Sequence, residues 1–228
     1  MAAIDLIDPT NLLITTDGEG VKLNPRNPEF YLHENIGRIY LYSPADNEED
    51  DEKILVGGFR LTYIDIASAV DNEMPLGDIF DTSQDLTDIY EAVYEEGTWD
   101  YKPKVNHILG KGIFTGDNIL SIDRLGILPE YRGNHIGLFV LSGLIQRYSV
   151  DTSFVAIHPY PLFFYLDNSR NDFCWDGPEG EPSQANIQKL KAYYKKVGFK
   201  TLRGSDLMLL SPVFGLSKIQ DIFEDKNT

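Results

Sequence analysis

The sequence predicts a mixed α/β fold of the α+β kind, with a mostly antiparallel central sheet and flanking helices. Two observations lead to this class. Strand-like segments follow one another in the first half of the chain, and the second half has the order strand, helix, strand, helix and closing hairpin. The 228 residues, 42% of them hydrophobic and 12% aromatic, suffice for one hydrophobic core. We therefore expect residues 1–228 to form a single domain.

The first half contains a predicted hairpin. Its strands are GRIYLYS and KILVGGFRLTYIDI, which are rich in β-branched and aromatic residues. They flank DNEEDDE, residues 46–52, which has no apolar side chain and so cannot enter a core. We interpret it as a solvated tip, because the glycine and the closing glutamate of a calcium-binding EF-hand loop are absent.

Residues 75–95 predict one broken helix or two short helices with acidic outer faces. The apolar residues recur at helical spacing, and Thr82 and Ser83 interrupt the pattern where a second helix would be capped. After the glycine-rich connection ILGKGIFTGDN, residues 122–127 predict a strand because of their β-branched content and the following Pro129. A largely apolar helix is expected from Asn134 to Tyr148.

The last third of the chain predicts three further elements. TSFVAIHPYP indicates a buried strand that ends at its prolines, and the polar and aromatic stretch up to Pro182 indicates a loop. An amphipathic helix is expected from Ser183 to Val197, since Gly198 is a typical C-terminal cap. FKTLRGSDLMLLSPVF then predicts a hairpin that turns at residues 203–205.

Composition restricts the classes of partner and site. The formal net charge of −16, from 36 acidic and 20 basic residues, argues against nucleic acid and anionic membranes and favours a cationic or amine-bearing partner. The single cysteine, Cys174, excludes an intramolecular disulfide, and no two histidines have metal-ligand spacing. We expect no metal and, because no signal peptide or long apolar run is visible, a cytoplasmic location.

The stretch RLGILPEYRGNHIGLFVL predicts an anion-binding turn between a strand and a helix. Gly133 is free to adopt a positive φ, and Gly137 allows another element to approach the helix closely. The first N–H groups of such a helix point outward with a positive dipole, and Arg132 adds a charge. The turn lacks the motifs of a Walker loop and of a dinucleotide-binding fold.

Two segments together resemble the GNAT superfamily of N-acetyltransferases. ILSIDRLGILPEYRGNHIGLFVL resembles its acetyl-CoA-binding motif, and LKAYYKKVGFK resembles its later F-Y-x-K-x-G-F helix. The resemblance extends from Arg38 to Phe214, apart from insertions at residues 67–117 and 162–182. It implies that acetyl-CoA is the acyl donor, that the backbone of Leu125, Gly126 and Ile127 pairs with the pantetheine arm, and that the loop pattern R/Q-x-x-G-x-G/A holds the pyrophosphate. This pattern falls on Arg132, Gly133, Asn134, His135, Ile136 and Gly137, where His135 replaces the middle glycine.

The resemblance also assigns a candidate acid. Tyr194 aligns with the tyrosine that protonates the leaving thiolate in this family, a task that suits a phenol. The alternative is that Tyr193 and Tyr194 are two helix aromatics, one buried and one on the surface.

A base must accept the proton of an ammonium acceptor. Ser121, Asp123 and Leu125 fall on one strand face by period two, so Asp123 is the candidate direct base and Ser121 a base acting through water. Alternatively, Asp123 pairs with Arg124 or Arg60.

The function expected from this resemblance is transfer of an acetyl group from acetyl-CoA to a primary amine by direct attack in a ternary complex. The expected acceptor is a small-molecule or peptide amine, cationic in character, with nucleic acid and membrane excluded and a homodimer possible. Two alternatives stay open. VGGFRLTYIDI, MPLGDIF and SIDRLGI are similar to segments of acyl-homoserine-lactone and long-chain N-acyl amino acid synthases, although Ser121 stands where those enzymes have glutamate. The second alternative is a non-catalytic module that binds coenzyme A or has a regulatory role.

Overall fold

Seven strands form the central sheet, in the order β1-β2-β3-β4-β5-β9-β8. The computed structural model describes residues 12–17, 24–43, 52–110, 116–161, 163–167, 172–176 and 183–213. Neighbouring strands are antiparallel except for β4 and β5, which are parallel and joined by a helical crossover. The strands are β1 Leu12–Asp17, β2 Leu32–Ser43, β3 Glu52–Ile64, β4 Asn118–Ile127, β5 Thr152–Ile157, β6 Phe163–Asp167, β7 Asp172–Asp176, β8 Lys200–Thr201 and β9 Met208–Leu210.

Helices cover both faces of this sheet. The described helices are α1 Ile66–Asp71, α2 Leu76–Phe80, α3 Gln84–Val93, α4 Pro103–Leu109, α5 Ile136–Tyr148 and α6 Gln184–Lys195. The apolar residues of α5 and α6 form one buried cluster with one side of the sheet, and those of α1 to α4 form a second cluster with the other side. Side chains of β4 alternate between the two, since Leu120 belongs to the first and Ile119 to the second.

The structure confirms the predicted fold class, a mixed and mostly antiparallel sheet with flanking helices that is consistent with a GNAT-like fold. The predicted hairpin is β2 and β3, although most of its acidic tip lies outside the described residues. Residues 75–95 form two helices, and the Ser83 side chain caps the second by accepting a hydrogen bond from the Leu86 N–H. The helices α5 and α6 and the closing β8–β9 hairpin also lie where the sequence placed them.

Three features differ from the sequence prediction. Residues 163–167 and 172–176, expected within a loop, pair as the separate hairpin β6–β7, because their aromatic residues favour strands despite the polar residues around them. Residues 12–17, for which the sequence analysis predicts no element, form β1 and add an edge strand to β2. Finally, α1 and α4 flank the two predicted helices within the 67–117 segment, and both are too short for a clear helical period.

Candidate functional site

The strands β4 and β5 diverge at the centre of the sheet. They pair in parallel up to Ile122, which lies opposite Ile157, the last residue of β5. Beyond this point β4 continues to Ile127 and pairs only with β3 among the described residues. The backbone of residues 123–127 therefore has one edge without a strand partner, as is required for pairing with an extended ligand.

A β-bulge lies where the strands diverge. Leu61 is opposite Ile122 and Arg60 is opposite Arg124, so Asp123 has no partner residue on β3. The prediction that Ser121, Asp123 and Leu125 share one face was wrong for Leu125. The extra residue reverses the alternation, so Leu125 packs against the cluster beneath α5 and α6, whereas Ser121 and Asp123 bond to each other.

A cavity of about 540 Å³ occupies the space between the diverging strands and the two helices α5 and α6. It brings together most of the predicted site residues, which the sequence places up to 71 positions apart, counted from Asp123 to Tyr194. Ser121 and Asn134 are not part of its lining. The predicted residues that line it are Asp123, Leu125, Gly126, Ile127, Arg132, Gly133, His135, Ile136, Gly137 and Tyr194.

Asp123 is held at the cavity by two hydroxyl groups. Its carboxylate accepts a hydrogen bond from Ser121 Oγ at 2.6 Å and another from Thr62 Oγ1 at 2.6 Å. Burial raises the pKa of Asp123 above its ordinary value, against the lowering effect of these two hydrogen bonds. The ion pairs that the sequence left open are formed elsewhere, by Arg124 with Asp85 at 3.1 Å and by Arg60 with Glu34 at 2.8 Å.

Five consecutive N–H groups line the entry to α5. The N–H groups of residues 133–137 donate no hydrogen bond within the described part of the chain, and the first paired one is that of Leu138, which donates to the His135 carbonyl at 2.9 Å. Gly133 has φ +91° and His135 has φ +59°, so the backbone curves around these donors. Such a row of free donors at a helix N-terminus is suited to a phosphate group.

His135 occupies the position where the resemblance expects glycine. Its left-handed φ of +59° is the conformation that glycine adopts freely, and its side chain is exposed. The histidine thus preserves the path of the turn at the cost of backbone strain.

We expect His135→Gly to stabilise the protein by about 1 kcal/mol, the lower end of the usual strain of an L-residue in this conformation. Thermal and denaturant unfolding measure this change. His135→Val is the matched control and should destabilise, since β-branched residues tolerate a positive φ poorly. A loss of stability in His135→Gly would contradict the strain that we assign to this residue.

Gly137 is required by the neighbouring helix α6. A Cβ atom at this position would lie 2.7 Å from the Tyr193 hydroxyl oxygen and 3.6 Å from Ile127 Cγ1. The nearby Leu138 backbone lowers the pKa of Tyr193, but burial has the larger effect and raises that pKa to about 12. The sequence predicted a close approach at Gly137 but not its partner, because no pattern links residues 137 and 193.

Tyr194 lines the cavity, next to Tyr193, which also lines it. It is 7% exposed and packs against Tyr193 and Phe199, with ring centroids 5.8 and 6.2 Å away. Burial raises the pKa of Tyr194 well above its ordinary value, so the phenol keeps its proton at neutral pH. Tyr194 is both a core aromatic and a cavity residue, while Tyr193 is half-buried, so the alternative of one buried and one surface tyrosine describes only part of the arrangement.

His158 also lines the cavity, and the sequence analysis did not place it in the site. It directly follows β5, and its Nε2 atom is buried without a hydrogen-bond partner in the described part of the chain. From the sequence, His158 is interpreted as a satisfied structural histidine at the end of a buried strand, which the unpaired Nε2 atom contradicts. Its position beside the point where β4 and β5 separate follows only from the parallel register of these two strands.

The cavity rim carries positive charge despite the acidic chain. Arg132, Lys189 and Lys196 all line it, and Arg132 Nε donates to the Ile127 carbonyl at 2.8 Å. In the described part of the chain, no group of three or more histidine, cysteine, aspartate or glutamate residues converges as metal ligands, and no helix is long and apolar enough to cross a membrane.

Comparisons with known proteins give two solved structures at low similarity. No family model and no curated protein matches the sequence. A chain from the crystal structure of the KacTA–DNA complex matches with 13% identity and a TM-score of 0.39, over 94% of this chain and 99% of that one. A chain from AtaTR bound with AcCoA matches with 12% identity and a TM-score of 0.40, over the same shares.

The sequence analysis expected a small-molecule or peptide amine as the partner and excluded nucleic acid. This restriction of the partner class was wrong. One of these two similar structures is a complex with DNA, and the other is of AtaTR bound with AcCoA. Net charge is also a poor guide at this site, because the chain carries −16 overall while basic side chains line the cavity rim.

Proposed function

We propose that this protein is an N-acetyltransferase that uses acetyl-CoA as its acyl donor and transfers the acetyl group directly to an amine in a ternary complex. The observation that carries this proposal is the row of five free N–H groups at residues 133–137, next to a strand with an open edge. A pyrophosphate followed by an extended amide-containing arm matches both features.

The residues fit the donor along its length. The N–H groups of residues 133–137 would hold the pyrophosphate, with the Arg132 guanidinium beside it. The open backbone edge at Leu125, Gly126 and Ile127 would pair with the amides of the pantetheine arm. His135 does not prevent this, because its side chain is exposed while its backbone follows the conformation of glycine.

The chemistry requires one group that accepts a proton and another that supplies one. Acetyl-CoA contributes an electrophilic thioester carbonyl and a thiolate leaving group. Tyr194 would give its proton to the sulfur as the C–S bond breaks, and its high pKa keeps that proton available. Asp123 would face the acceptor ammonium, and Ser121, which donates a hydrogen bond to its carboxylate, would orient it.

Ligand-dependent thermal unfolding tests the donor. Acetyl-CoA at one hundred times its Kd should stabilise the protein by about 2.7 kcal/mol, which for a chain of this size raises Tm by roughly 5 to 10 °C. NAD is the matched control ligand, since it carries a pyrophosphate but no pantetheine arm. Acyl transfer is then measured as release of the coenzyme A thiol with amines carried by small molecules, peptides and nucleic acids.

The same experiment separates the alternatives. A larger shift with long-chain acyl-CoA than with acetyl-CoA would assign the protein to the long-chain acyltransferases. Stabilisation by coenzyme A without thiol release from any acceptor would identify a non-catalytic binding module. If neither acyl-CoA nor free coenzyme A changed Tm, the proposed function would be wrong.

A further inference from the structure

His158 lies at the junction where the two central strands separate. Ile122 and Ile157 form the last parallel pair, so Asp123 and His158 are the first residues beyond it on the two diverging strands. Both line the cavity that also contains Tyr194. In the proposed function this junction is where the extended donor arm would end, and hence where its acyl group and the acceptor nitrogen would meet.

The imidazole has an unpaired ring nitrogen at this junction. His158 Nε2 is buried and has no hydrogen-bond partner among the described residues, whereas nearly all buried polar atoms in proteins are paired. Because buried polar atoms without a partner are costly, a specific reason for retaining one is expected. An N–H group of a bound acceptor would supply the missing donor.

The charges around His158 come from three elements. Asp85 and Asp88 face it from α3, Arg124 from β4, and Asp206 from the β8–β9 hairpin. Burial lowers the pKa of His158, the three carboxylates oppose this shift, and Arg124 adds to it. The imidazole is therefore neutral at pH 7 and able to accept a proton.

We propose that His158 is the general base of this site and that its Nε2 atom takes the proton from the acceptor ammonium, while Asp123 positions that ammonium group. The inference rests on the proposed acetyl transfer. In this step one N–H bond of the ammonium breaks, the proton moves to Nε2, and the freed electron pair forms the C–N bond to the thioester carbon. The C–S bond then breaks and Tyr194 protonates the leaving sulfur. The second proton of the nitrogen restores the Tyr194 phenol, and the proton on Nε2 passes to solvent.

Two nucleophiles that differ in basicity test this assignment. Propylamine is an ammonium ion at pH 7 and needs a base, whereas hydroxylamine is largely neutral and does not. His158→Gln should lower kcat with propylamine by roughly 10²- to 10⁴-fold, the usual contribution of a general base, but less than tenfold with hydroxylamine. The shift in Tm caused by acetyl-CoA should be retained, which shows that the variant folds and binds the donor.

Two further variants separate a catalytic role from a structural one. Free imidazole should restore part of the propylamine reaction in His158→Ala, since it supplies the missing base. Asp123→Asn should raise KM for propylamine more than it lowers kcat, because it removes a positioning charge rather than the proton acceptor.

The inference is overturned if His158→Gln loses the same factor with both nucleophiles, or if the selective loss of kcat appears in Asp123→Asn instead. A wild-type protein that shows neither an acyl-CoA shift nor thiol release would refute the proposed function, and this inference with it. Such a failure is visible in the wild type alone, whereas an error confined to His158 leaves the wild type active.

Discussion

Replacement of Tyr194 by phenylalanine is expected to lower kcat for acetyl transfer by roughly 10²- to 10⁴-fold, the usual contribution of an acid catalyst. The change removes one oxygen atom from a side chain that is 7% exposed and keeps the ring that packs against Phe199. Acetyl-CoA binding and Tm should therefore change little. Initial rates of thiol release, together with the Kd for acetyl-CoA, measure the effect.

The adjacent Tyr193 provides a matched control for this prediction. Tyr193→Phe makes the same chemical change one residue earlier, on a ring that also lines the cavity but whose hydroxyl oxygen lies against Gly137, 2.7 Å from the position of an added Cβ. We expect a small loss of stability and a kcat within a few-fold of wild type. A larger loss of kcat in Tyr193→Phe than in Tyr194→Phe would transfer the acid role to Tyr193.

The pH dependence of kcat adds a second check on Tyr194. Because burial raises its pKa, the phenol stays protonated above the ordinary tyrosine range near pH 10. The rate should consequently show no descending limb from Tyr194 at pH 10 or below. A fall in kcat below pH 10 that occurs in the wild type but not in Tyr194→Phe would contradict the protonated state that we assign to Tyr194.

Local patterns predicted much of the fold. The β-branched and aromatic strands on either side of the acidic tip, the cap at Ser83 and the glycine after α6 each depend on near neighbours in sequence, so their elements lie where expected. The short helices α1 and α4 and the β6–β7 hairpin were missed. Each has too few residues to show a hydrophobic periodicity or a composition that differs from that of a loop.

The site was less predictable, because it depends on register between distant strands. The turn at residues 132–137 was identifiable from its glycines and apolar helix. By contrast, the bulge at Asp123 is set by how β3 and β4 pair, and it moved Leu125 to the opposite face. His158 lines the cavity because β5 ends at the preceding residue, Ile157, which lies opposite Ile122. Neither pairing is encoded in the local sequence around these residues.

The curvature of the anion-binding turn leads to the second large effect, in Gly133→Ala. Gly133 has φ +91°, which an L-residue rarely adopts, so alanine should destabilise the protein by about 1 to 2 kcal/mol even though no atom lies within 4 Å of its added Cβ. The strain is relieved by rotation of the neighbouring peptide units, which misdirects the free N–H groups. We expect the Kd for acetyl-CoA to rise at least about tenfold, equivalent to 1.4 kcal/mol.

Gly143→Ala is the matched control, because the same atom is added within the same region of the chain. Gly143 lies inside α5 with no atom within 4 Å of an added Cβ, and it is half-buried. Alanine there should stabilise the protein by about 0.5 to 1 kcal/mol and leave acetyl-CoA binding unchanged. Denaturant unfolding and calorimetric titration measure both quantities. The N–H groups of residues 133–137, which donate no hydrogen bond within the described chain, depend on this one backbone conformation. If Gly133→Ala lowered the free energy of unfolding but bound acetyl-CoA as tightly as wild type, the donor phosphates would have to be held elsewhere.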